Sequence, residues 1–67
     1  MKNLANIIVT ESTSIIEVLK IIDKNSKQIA IVVDKNNKLL GTISDGDIRR
    51  AILSNISLKE PIKNIYS

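Results

Sequence analysis

The sequence predicts a small α+β domain with the element order β-α-β-β-α and a short C-terminal helical tail. Apolar residues between positions 15 and 22 recur with the period of a helix. Two apolar segments, 28–33 and 39–44, flank a short polar turn in the pattern of a hairpin. A chain of 67 residues forms at most one domain.

The first predicted strand is short and leads directly into the first predicted helix. The apolar run at 6–10 is followed by the polar segment ESTS. Ser14 and Glu17 have the spacing of a capping box, which marks the start of a helix. The polar stretch 23–27 predicts where that helix ends. Its buried stripe follows positions i, i+3, i+4 and i+7, namely Ile15, Val18, Leu19 and Ile22.

The next two strands are predicted to pair with each other. The segment QIAIVV at 28–33 is almost entirely apolar and β-branched, which predicts a strand covered on both faces. The turn at 34–38 contains asparagines, which tolerate positive φ. In the second arm, 39–44, Gly41 indicates a bulge or the close approach of another backbone.

The second helix is predicted to begin at the motif SDGD and to end at 54–57. Its predicted buried face carries Ile48, Ala51 and Ile52. Pro61 suits the first turn of a further short helical piece. We therefore expect a single domain over 1–67, with a core of about 7–54 and a tail at 55–67.

Composition and charge exclude several classes of function. The net charge is +3, but the lysines are scattered and Tyr66 is the only aromatic residue, so we predict no nucleic-acid surface. No apolar run approaches the ~20 residues of a membrane span. The first residues lack a signal-peptide core, so we expect a cytoplasmic protein.

The chain lacks the usual means of stabilising a small core. It has no Cys and no His, which excludes disulfides, the usual zinc site and a His- or Cys-based nucleophile. It also has no Phe and no Trp. A small core of this kind usually needs another copy, so we expect a homodimer, with no catalytic residue and no metal.

The segment SDGDIRR allows two interpretations. Structurally, Ser44 and Asp47 form a variant capping box, in which an aspartate replaces the usual glutamate. Asp45 with Arg49, and Asp47 with Arg50, have the spacing of ion pairs along a helix. Functionally, a helix N-terminus favours anions, and a carboxylate there can accept bonds from ribose hydroxyls. The spacing alone leaves both interpretations open.

The chain resembles a CBS domain, the regulatory module named after cystathionine β-synthase, over about residues 7–54. The most specific part is GTISDGD at 41–47, which matches the family pattern of glycine, two small or apolar residues, Thr or Ser, two variable residues and Asp. The hairpin QIAIVVD…KLLGTIS matches the segment before it. The resemblance implies a small sheet packed on two helices.

The resemblance also implies a ligand, an adenine nucleotide such as AMP, ADP or ATP. In this family, the residue at the place of Asp47 holds the ribose hydroxyls, and the residue at the place of Ser44 contacts the ribose–phosphate region. Residues around Thr10 and at 28–30 would form the base pocket. The implied nucleotide-binding residues are Thr10, Gln28, Ile29, Ala30, Ser44, Asp47, Arg49 and Arg50, with one of the arginines facing the phosphates.

CBS repeats come in tandem, and this chain holds one, so the resemblance implies a cleft completed by a second repeat. It implies pairing through the helices around an approximate twofold axis. The segments SDGDIRRAIL and SLKEPIKNIYS resemble the first CBS repeat ahead of bacterial and archaeal sugar-nucleotide nucleotidyltransferase domains. We therefore expect the opening, non-catalytic part of such an enzyme, with the tail leading toward a second repeat. The alternatives are a ligand-free dimerisation module, or the CBS part of a sugar-phosphate isomerase.

Overall fold

A computed structural model describes residues 7–25 and 28–67. The predicted order β-α-β-β-α is confirmed, as is the α+β class. Position 6 of the predicted first strand, and positions 26 and 27 of the stretch predicted to end the first helix, lie outside the described residues. The elements are β1 (Ile8–Thr10), α1 (Ile15–Lys24), β2 (Ile29–Val33), β3 (Leu39–Ser44), α2 (Asp45–Leu53) and a short 3-10 helix (Ile62–Asn64).

The three strands form one sheet in the order β1-β2-β3. Strand β2 lies in the centre, parallel to β1 and antiparallel to β3. Thr10 pairs with Val33 at one end of β2, and Ser44 pairs with Ile29 at the other. The β3–α2 junction therefore lies at the opposite end of the sheet from the end of β1.

One face of the sheet is covered by both helices and forms the core. Ala30, Val32 and Ile43 are completely buried there. On the opposite face of β2, Val33 is buried but Ile29 and Ile31 are only half-buried, so the described residues cover this face in part. The helical residues of the core are Ile15, Val18, Ile22, Ile48 and Ala51.

Both features that a glycine inside a strand indicates, a bulge and the close approach of another backbone, are present at Gly41. The β2–β3 register shifts beside it, because Val32 pairs with Gly41 while Val33 pairs with Leu39. On the outer edge of β3, Thr42 and Ser67 exchange two backbone hydrogen bonds of 3.0 and 3.1 Å. A Cβ atom on Gly41 would overlap the Ser67 carbonyl oxygen, so this position requires glycine.

The tail completes the core instead of lying outside it. Ile62 is completely buried and belongs to the core cluster. The backbone carbonyls of Glu60 and Leu58 accept the N–H groups of Ile15 (2.9 Å) and Ile16 (3.0 Å). First-turn amides have no partner inside their own helix, so the tail satisfies the start of α1.

The prediction that Ile52 lies on the buried face of α2 is wrong, because its side chain is 46% exposed. Ile48 and Ala51 are buried as predicted. After α2 the chain folds back, and the Ile56 N–H donates to the Ala51 carbonyl at 3.0 Å. The tail therefore covers α2 on the Ala51 side and leaves the Ile52 side open.

The predicted cap of α1 is only half formed. The Ser14 hydroxyl accepts the Glu17 N–H at 3.3 Å, which is one arm of a capping box. The Glu17 carboxylate instead lies 3.8 Å from the Lys20 ammonium. The helix ends at Lys24, within the predicted range, and Asn25 is its C-cap.

Candidate functional site

The candidate site is built on the junction between β3 and α2, where Ser44 is the N-cap of the helix. The Ser44 hydroxyl accepts the Asp47 backbone N–H at 3.3 Å and donates to Asp47 Oδ2 at 3.1 Å. The same carboxylate oxygen accepts the Ser44 backbone N–H at 2.8 Å. The predicted capping box is confirmed, and it fixes the orientation of the Asp47 carboxylate.

The Asp47 carboxylate is largely shielded from solvent and remains ionised, with 11% of its side chain exposed. Burial acts to raise its pKa, but hydrogen bonds from the Ser44 backbone, the Arg50 guanidinium and the Ser44 hydroxyl outweigh burial and lower the pKa. A carboxylate has about four acceptor positions. Oδ2 accepts two bonds and Oδ1 one, so one position at Oδ1 remains for a ligand.

Both predicted ion pairs along α2 are formed. Arg50 Nη2 lies 2.8 Å from Asp47 Oδ1, and Arg49 Nη2 lies 3.1 Å from Asp45 Oδ2. The two arginine side chains are 70% and 66% exposed, respectively. The Arg50 guanidinium lies over Gly46, where a Cβ atom would be 3.4 Å from Nη1. Arg50 therefore contacts Asp47, the residue that the family resemblance places on the ribose, whereas Arg49 is paired with Asp45.

The segment that leads into β2 lies beside this junction, so both parts of the chain can contact one ligand. Ile29 pairs with Ser44, and the Gln28 carbonyl accepts the Asp45 N–H at 3.4 Å. Gln28 is exposed and Ile29 is half-buried, so both can contact a ligand. Ala30 is completely buried on the helix side of the sheet, so it supports the site from beneath.

Two separate grooves flank the junction. The first has a volume of about 230 Å³ and is lined by Leu19, Ile22, Asp23, Asn25, Gln28 and Asp45. The second has a volume of about 200 Å³ and is lined by Asp47, Arg50, Ala51, Ser54, Ile56 and Ile65. Among the described residues, Gln28 and Asp47 therefore line different grooves.

Thr10 lies at the far end of the sheet. It pairs with Val33, four positions along β2 from the residue beside Ser44, a separation of about 13 Å. Its hydroxyl clusters with those of Ser12 (3.0 Å) and Thr13 (3.3 Å) beside a groove of about 480 Å³. Within one chain, Thr10 therefore lies at the opposite end of β2 from the capping box.

The tail makes long-range contacts that no local sequence pattern predicts, some beside the candidate site and some at the far end of the sheet. Ile56 and Ile65 line the groove beside Asp47. The Tyr66 hydroxyl donates to Glu11 Oε2 at 2.7 Å, and this bond raises the pKa of Tyr66. These partners lie far apart in the sequence, so only the folded structure reveals them.

Within residues 7–25 and 28–67, no group of three or more His, Cys, Asp or Glu side chains is arranged to hold a metal ion. No helix in the same part of the chain is long and apolar enough to cross a membrane.

Comparison with known sequences identifies one family. The family model for the CBS domain matches residues 3–54, which include the hairpin and the SDGD motif. No curated protein matches the chain at a significant level.

Two solved structures share the fold. The CBS domain protein PAE2072 from Pyrobaculum aerophilum, solved in complex with AMP, has a TM-score of 0.82 and 22% identity, over 100% of this chain and 56% of that chain. Staphylococcus aureus OpuCA has a TM-score of 0.74 and 21% identity, over 91% of this chain and 49% of that chain. The chain thus spans about half the length of each protein. The likeness confirms the fold.

Proposed function

Because this chain belongs to the CBS domain family, we propose that it is a non-catalytic regulatory module that binds an adenine nucleotide, AMP, ADP or ATP, in a cleft shared with a second CBS repeat. The observation that carries the proposal is the Asp47 carboxylate, which is held in place at a helix N-terminus with one acceptor position open. The AMP complex of the Pyrobaculum aerophilum relative supports an adenine nucleotide as the ligand.

In this proposal, each part of the nucleotide has its own contacts. Asp47 accepts from the ribose hydroxyls, and Ser44 keeps the carboxylate in place while facing the ribose–phosphate region. Gln28 and Ile29 border the base from the neighbouring strand. The phosphates lie toward the guanidinium of Arg50, which is exposed, lies beside the Asp47 carboxylate and can bind a phosphate through two N–H groups.

The open face of the sheet is the surface that a second repeat would cover. Ile8 is 38% exposed there and pairs with the half-buried Ile31. The same face ends at the Ile29–Ser44 pair, so a repeat seated on it would also close the candidate site. Thr10 would then join the cleft only if the second repeat contributes it.

The helices offer less surface for pairing. Among the helical residues whose apolar pattern predicts burial, Ile15, Val18 and Ile48 are buried in the chain's own core. Leu19 is half-buried and Ile52 is exposed. A partner on the helical side would therefore contact mainly Leu19 and the end of α2.

Calorimetric titration of the full chain with AMP, ADP, ATP and GTP tests the proposal. Asp47→Asn should weaken binding by about ten- to hundred-fold, because a hydrogen bond to a charged group contributes about 1.5–3 kcal/mol. Asp45→Asn is the matched control, since Asp45 lies in the same helical turn but pairs with Arg49. Equal binding by the wild type and Asp47→Asn would exclude this role for Asp47.

A ligand-free dimerisation module is the second candidate, and one observation favours it. Ser44 and Asp47 satisfy each other as a complete capping box, so their presence needs no ligand. Under this function the chain sediments as a dimer at micromolar concentration and shows no heat of binding with any nucleotide. A nucleotide that binds in the micromolar range excludes it.

For the parent protein we propose a cytoplasmic sugar-phosphate nucleotidyltransferase of which this chain is the N-terminal regulatory part. The segments SDGDIRRAIL and SLKEPIKNIYS support this proposal. A sugar-phosphate isomerase is the alternative parent. The reading frame that surrounds these residues distinguishes them, since the former requires a second repeat followed by a domain that uses a nucleoside triphosphate.

A further inference from the structure

We propose that Arg50 makes this site discriminate nucleotides from nucleosides, because its guanidinium occupies the Asp47 carboxylate until a phosphate group draws it away. The inference rests on the proposed function and concerns the same site. Its basis is the 2.8 Å bond between Arg50 Nη2 and Asp47 Oδ1, on the carboxylate that would hold the ribose.

The Arg50 guanidinium and the ribose hydroxyls compete for the same acceptor positions on the Asp47 carboxylate. Oδ2 holds the backbone N–H and the hydroxyl of Ser44, and releasing them would undo the start of α2. Two ribose hydroxyls therefore need both positions on Oδ1, one of which Arg50 occupies. A sugar diol can engage this carboxylate fully only if the guanidinium leaves.

The displaced guanidinium has no second carboxylate on its own helix. Asp45, the other acid in the first turn of α2, is already paired with Arg49 at 3.1 Å. The Arg50 side chain is 70% exposed, so it is free to turn away from Asp47. A ligand phosphate replaces the lost partner with a bidentate acceptor, whereas a nucleoside offers none.

Titrations of the full chain with adenosine and with AMP test this mechanism in three proteins. In Arg50→Gln, adenosine should bind more tightly by roughly 1.5- to 5-fold, the range expected for release of an exposed ion pair. AMP should bind about tenfold more weakly or worse, because its charged partner is gone. The preference for AMP over adenosine therefore falls sharply.

Arg49→Gln is the matched control. It removes the same charge from the neighbouring position but leaves the Asp47–Arg50 pair intact. Adenosine affinity should therefore not rise in this variant, while any loss of AMP affinity measures the long-range effect of one charge. A rise in adenosine affinity in both variants would assign the effect to net charge and overturn the role of Arg50.

Two further outcomes are decisive. If the wild type binds AMP but Arg50→Gln gains no affinity for adenosine, the competition is refuted while the proposed function stands. If the wild type binds neither compound, the proposed function fails and this inference fails with it. An NMR titration checks the pair without a ligand, since the pKa of Asp47 should rise in Arg50→Gln and an unchanged pKa would refute the contact.

Discussion

Replacing Ile62 by alanine should remove a large part of the stability of this domain. Ile62 is completely buried in the core although it lies in the tail. Truncating a buried isoleucine to alanine costs about 2–5 kcal/mol. A domain of this length has a total unfolding free energy of roughly 3–10 kcal/mol, so the loss takes a fifth of it at the least. The melting temperature should fall by at least about 8 °C.

Urea unfolding followed by circular dichroism measures the loss directly. Leu53→Ala is the matched control, because leucine is an isomer of isoleucine and Leu53 is 76% exposed. The control should stay within about 0.5 kcal/mol of the wild type. A loss below about 1 kcal/mol in Ile62→Ala would refute the reasoning, because it would mean that the tail does not complete the core.

Two other predictions concern β3 and the helix that follows it. Gly41→Ala should destabilise the domain by about 1–3 kcal/mol, since its Cβ would overlap the Ser67 carbonyl. Gly46→Ala, the comparison variant, should be neutral or stabilising by up to about 1 kcal/mol. Thermal melts of the two variants test this, and equal melting temperatures would contradict the close approach at Gly41. The pKa of Asp47 is lower in the folded chain than in the unfolded one, so its contribution to stability is present above about pH 4 and is lost as the pH falls further. Urea midpoints measured through the acid range should therefore fall less steeply in Asp47→Asn, and parallel profiles would contradict that shift.

Features that depend on neighbouring residues could be predicted from the sequence. The second arm of the hairpin spans 39–44 as predicted, and Asn37 in the turn has the expected positive φ, 64°. The capping box at Ser44 and the ion pairs beyond it follow from helical spacing of three and four residues. In each case the partners are close along the chain, so sequence spacing alone determines their contact.

Contacts between distant segments could not be predicted in this way. The pattern assigned Ile52 to the core, but only the path of the tail decides which side of α2 is covered. Likewise, the distance of Thr10 from Ser44 follows from the parallel register of β1 and β2, which no local pattern specifies. The partner of Gly41 is the backbone of Ser67, far along the chain.

The bonds from α1 to the tail determine the order in which this protein can fold. The amides of Ile15 and Ile16 are satisfied by carbonyls of Glu60 and Leu58, which leave the ribosome much later. A nascent chain that ends before these residues therefore lacks both the partners of these two amides and the buried isoleucine at position 62. Until then the apolar side of α1 stays accessible to chaperones and to other nascent chains.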